Sequence, residues 1–127
     1  LERIGPLDRR FRVAERRDLR EAVRFGALIG AAQLGIDLVL NGHEHEFEIT
    51  KPLVGQNVMP SMDNATVYVV AGGAGAELYG NGTGFWTEYS EKTHNAAIVR
   101  VRRDQLTFEA YRPDGTTIPG GFTKTKQ

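Results

Sequence analysis

The sequence predicts an α/β domain. Three features carry that expectation: a capped amphipathic helix at about residues 19–34, two apolar runs at 36–40 and 67–71, and a closing β-hairpin at about 96–111. The 127 residues are enough for one domain with a modest core. With 40% hydrophobic, 9% aromatic and 25% charged residues, the composition is ordinary for a folded globular protein.

The helix is expected to start at Asp18 and Glu21, whose D-x-x-E spacing forms a capping box in which each side chain accepts a bond from an unpaired helix N–H. Leu19, Ala22, Val23, Gly26 and Ile29 then share one face. Phe25, Leu28 and Ala32 widen it, Arg20 and Arg24 mark the exposed side, and Gly35 is placed to stop the helix in a left-handed conformation. Ile36-Asp37-Leu38-Val39-Leu40 follows as a strand covered on both faces, and Asn41 to His45 form the loop at its carboxyl end. Residues 50–65, with Pro52, Gly55, Pro60 and Asp63-Asn64, read as an irregular excursion.

Val67 to Ala71 is the second buried strand, and six glycines within the thirteen residues 72–84 make a long, mobile or tightly turning loop after it. In the hairpin, a two-residue turn at Arg103-Asp104 sets Val101 opposite Leu106 and Val99 opposite Phe108. Arg-Asp is not a favoured turn pair, so a loop one residue longer is also compatible. Pro113-Asp114-Gly115 forms a turn, and Lys124 to Gln127 read as frayed. Two strands apolar on both faces with one helix to cover them leave sheet bare, which favours association with further chain.

Sixteen basic residues balance sixteen acidic ones, which removes the global basic excess of a nucleic-acid binder. The balance conceals an acidic middle, since residues 25–91 hold one Lys and eight acids between two basic ends. No apolar run approaches the roughly 20 residues of a membrane span, and no targeting signal is legible, which leaves the compartment open with the cytoplasm favoured. Without cysteine, a metal site must use His, Asp, Glu or Asn.

His43 and His45 are the leading site candidates. They lie in a loop at the carboxyl end of a strand, where ligands of open α/β sheets gather, and in extended backbone residues i and i+2 face the same side. Both imidazoles then reach one metal or two adjacent ones. Glu44 is expected to point the other way as a solvated or supporting group, and Glu46 and Glu48 to lie on an exposed edge. A zincin helix is excluded because position 47 is Phe. Gly73 and Gly75 lack the third glycine and the helix of a dinucleotide fingerprint, and no P-loop Gly-Lys-Ser/Thr occurs, so the loop is either turn-making or a backbone lining for an anionic substrate. His94 is a possible third ligand, with a structural role the plainer account.

Residues 17–47, ending Asn41-Gly42-His43-Glu44-His45, resemble the last signature of calcineurin-like metallophosphoesterases, the superfamily that includes purple acid phosphatases. Val67 to Gly75 and Thr93 through Gly115 resemble the strands and hairpin after it. The resemblance implies the C-terminal portion of a two-sheet α/β/β/α sandwich, with His43 on the second and His45 on the first of two metal ions, Fe, Mn or Zn. It implies phosphoester hydrolysis, mono- or diester, by a water activated between the metals. The family's D-x-H, G-D-x-x-D and G-N-H-D/E signatures are not in this sequence. The chain is therefore expected to be a single partial domain whose site is completed by a missing N-terminal half or by another chain. The alternatives are a non-enzymatic metal-binding module and, more distantly, a cupin-like β domain, against which the helix argues.

Overall fold

The computed structural model describes residues 13–16 and 30–126. Among them are ten strands: β1 (Val13–Arg16), β2 (Leu38–Asn41), β3 (Phe47–Thr50), β4 (Leu53–Val54), β5 (Asn57–Val58), β6 (Val67–Ala71), β7 (Thr87–Glu91), β8 (Ala96–Arg102), β9 (Gln105–Tyr111) and β10 (Phe122–Thr125). No helix occurs among the described residues, so the α/β expectation is met only in its sheets. Residues 19–29 of the expected helix lie outside the described residues. At its expected end, Gly30 (φ 63°) and Gly35 (φ 72°) both take left-handed backbone, and residues 30–35 form hydrogen-bonded turns. A left-handed residue at position 30 cannot sit inside an α-helix, which is why residues 30–34 do not form the expected helix end.

The main sheet has five strands in the order β1-β2-β6-β3-β7. β1, β2 and β6 are parallel, while β3 runs antiparallel to both β6 and β7. A second sheet, β10-β9-β8, is antiparallel throughout. Its β8–β9 turn is the two residues Arg103-Asp104, with Val101 opposite Leu106 and Val99 opposite Phe108.

Alternation along each strand sends side chains to two faces. Leu38, Phe47, Ile49, Val67 and Val69 on the first face meet Leu106, Phe108, Ala110 and Ile118 of the second sheet, so two sheets enclose the larger core. Phe108 lies between Phe47 and Phe122, with ring centroids 6.5 and 5.7 Å away. On the second face, Val39, Tyr68 and Val70 pack with Leu53, Ile36 and Trp86.

Three expectations are corrected. Glu48 in β3 and Glu46 just before it are buried, because β3 is an interior strand between β6 and β7 and offers no exposed edge. The excursion at 50–65 contains the small β4–β5 hairpin, turned at Gly55. Lys124 and Lys126 are not frayed: Lys124 lies in β10 on the inward side with Phe122, and both ammonium groups reach Asp37 at 2.7 Å.

Candidate functional site

The sheet order dictates where the histidines go. β2 and β3 flank β6, so the loop Gly42–Glu46 must arch over the carboxyl end of β6. Gly72, the first residue after β6, passes directly beneath: a Cβ there would lie 1.9 Å from the Glu44 carbonyl oxygen, so no larger residue fits without moving backbone. At Gly73 a Cβ would lie 2.5 Å from the Thr93 carbonyl oxygen. β7 ends at this same edge of the sheet, opposite the start of β3, and delivers Thr93, His94 and Asn95. Three segments therefore converge at one end of the sheet: 42–46, 72–75 and 92–95.

The loop that carries the two histidines is not extended. His43 is exposed with φ 73°, and Glu44 and Glu46 each donate their N–H two residues back, to Gly42 and Glu44. The i, i+2 argument for a common side therefore fails at this point, because a left-handed residue and successive tight turns break the alternation. Glu44 is partly buried under the same geometry.

His45 is held from two directions. Its Nδ1 lies 2.6 Å from the Glu77 carbonyl oxygen, and its ring stacks on Tyr79, with centroids 4.3 Å apart and planes 13° from parallel. A carbonyl only accepts, so Nδ1 carries the proton and Nε2 of the neutral ring keeps its lone pair. His94 repeats the pattern, with Nδ1 2.8 Å from the Gly73 carbonyl oxygen. Gly73 thus has a structural role toward His94, while Gly75 makes a turn at φ 91°.

The loop from Gly72 to Trp86 returns along the second face of the sheet, and Glu48 of β3 fastens its end. Glu48 Oε1 accepts Trp86 Nε1–H at 3.1 Å and the Thr87 hydroxyl at 2.6 Å. Burial, and then the neighbouring charges of Glu48 and Glu44, push the Glu46 carboxyl up to about 7, against the opposing effect of Gly82. Asn95 Nδ2 donates to the Glu46 and Thr93 carbonyls, joining the segments beneath.

Three buried oxygens at this edge, Asn41 Oδ1, Glu46 Oε2 and Asn95 Oδ1, accept no hydrogen bond from the described residues. Buried acceptors require a donor or a cation. Among the described residues, no group of three or more His, Cys, Asp or Glu is arranged to hold a metal ion. The donors present suit a metal in kind, since His45 presents a free Nε2 behind a carbonyl-anchored Nδ1, the usual support for a ligating imidazole. In number they fall short of a complete ligand set. Glu77, Tyr79 and Asn95 were not singled out as site residues from sequence. An aromatic inside a glycine-rich run was the one available signal, for Tyr79.

No family model matches the chain, and no curated protein matches it. Among solved structures it is similar to a purple acid phosphatase isolated from yellow lupin (Lupinus luteus) seeds, with a TM-score of 0.62 and 23% identity. The match covers 71% of this chain and 18% of that one. The likeness is one of fold, shared with part of that protein.

Proposed function

We propose that this chain is the part of a metal-dependent phosphoesterase that contributes His43 and His45 to a dinuclear centre, with the remaining ligands supplied from outside the described residues, by further chain or by a partner. The observation that carries this reading is the position of Gly42-His43-Glu44-His45, at the carboxyl end of β2 where it arches over β6, in a fold shared with part of a purple acid phosphatase. The unpaired oxygens of Asn41, Glu46 and Asn95 at that edge support it.

Fe, Mn or Zn bound there would supply an activated water and neutralise charge on a phosphoester substrate. The chain's own contribution is narrower: His45 offers a lone pair in a fixed orientation, the glycines let three loops approach, and Glu48 keeps the end of the long loop fastened.

The left-handed backbone at His43 supplies the test. A left-handed conformation costs a non-glycine residue roughly 1–2 kcal/mol, so His43→Gly is expected to hold or raise stability. If His43 is a ligand, the same variant retains less Zn²⁺ after equilibration and desalting, measured by elemental analysis, and His45→Ala retains less still. Zn²⁺ retention unchanged in both would overturn the reading.

A further inference from the structure

Residues 45 and 77–79 are joined reciprocally. The His45 imidazole Nδ1–H donates to the Glu77 carbonyl at 2.6 Å, and the Tyr79 N–H donates back to the His45 carbonyl at 3.0 Å. Tyr79 then lays its ring parallel to the imidazole at a centroid separation of 4.3 Å while remaining 48% exposed. A large aromatic held half in solvent gains little from its own burial, so its placement is explained better by what it does to its neighbour than by core packing.

We propose that Tyr79 is a positioning residue for His45: with the Glu77 carbonyl it fixes the imidazole's tautomer and plane, so that Nε2 is the nitrogen presented to a ligand. The two contacts are complementary. A hydrogen bond to one ring nitrogen selects the tautomer but leaves the ring free to pivot about that bond, and the stack against Tyr79 removes the pivot. This rests on the proposed function only for the identity of the ligand as a metal ion; the tautomer and the stack are properties of the metal-free chain.

The test is imidazole ¹H–¹⁵N spectroscopy of the 127-residue chain at pH 8, without metal and then with Zn²⁺ added. The wild-type His45 is expected to show the Nδ1–H tautomer. Tyr79→Ala is expected to give a tautomer mixture and roughly 10–100-fold weaker Zn²⁺ binding, the usual loss when a ligand's support is removed. Tyr79→Phe, which keeps the stack and the backbone N–H, is expected to match wild type, a rescue that a role through the hydroxyl would not allow. If Tyr79→Ala does not fold, Tyr79→Leu, which keeps bulk without the aromatic face, carries the same expectation. An Nε2–H tautomer in the wild type, or Tyr79 variants with unchanged His45 signals, would overturn the proposal. Zn²⁺ that leaves His45 unmoved in the wild type would overturn the metal reading instead, with the tautomer result deciding the positioning role separately.

Discussion

Lys124 Nζ lies 2.7 Å from Asp37 Oδ1, with the two side chains 6% and 3% exposed, so the last strand is fastened to the chain just before β2 by a buried ion pair. Lys126 meets the other carboxylate oxygen at 2.7 Å, and Lys124 also donates to the Ala65 carbonyl. Removing the acid strands a buried ammonium. Asp37→Ala is therefore expected to cost about 3–5 kcal/mol in urea unfolding, and Lys124→Met less, because Lys126 still faces Asp37. Equal losses would show that the two lysines do not share the carboxylate in this way.

Gly72 and Gly82 give opposite expectations for one substitution. Alanine at 72 collides with the Glu44 carbonyl, while at 82 a Cβ meets nothing within 4 Å. Gly72→Ala is expected to cost about 1–3 kcal/mol, as overpacking does, and to shift the amide resonances of 43–46. Gly82→Ala should stay within about 0.5 kcal/mol of wild type. Thermal unfolding of both variants checks the contrast.

Arg112 holds Glu91 through two bonds, Nε to Oε2 at 2.8 Å and Nη2 to Oε1 at 2.7 Å, and Tyr89 donates to Oε1 as well. These bonds, Arg112's first and then Tyr89's, hold the Glu91 carboxyl below its ordinary value of 4.5. A depressed carboxylate stabilises the fold above its unfolded-state pKa, and that stability is lost as pH falls through the lower, folded-state value. Between pH 5 and 2, Glu91→Gln is expected to flatten the decline of stability with pH. An unchanged acid limb would show that the pair contributes nothing to folding.

The chain by itself is expected to show no metal-dependent turnover of a generic aryl phosphate, since the two imidazoles proposed as ligands are fewer than the three protein ligands a catalytic metal normally takes. Turnover that is abolished by His43→Ala would show that two imidazoles and the residues outside the description suffice.

Part of this was legible in sequence and part was not, for physical reasons. Val67 to Ala71 is visible as a strand because burial on both faces leaves a continuous apolar run. β3 is not, because Glu48 is its alternate toward the second face and Glu46 stands just before it, and acids buried under a loop look the same in sequence as acids in water. β10 was hidden similarly, since a buried Lys124 is recognisable only once Asp37 is known to face it. The Gly42-His43-x-His45 string marked the site through residue type and strand-end position, whereas its assumed extended geometry failed on one dihedral at His43. The clamp on His45 uses the backbone of Glu77, and a carbonyl leaves no trace in the side-chain pattern.

The most direct test is where a metal sits. Crystals of the chain grown with Zn²⁺ and measured across the zinc absorption edge are expected to show anomalous density about 2.1 Å from His45 Nε2, with density at similar range from a His43 nitrogen. Zinc located away from both imidazoles, or none at the arch over β6 with His45 still held by Glu77 and Tyr79, would contradict the assignment of this loop as a metal-binding part of a phosphoesterase.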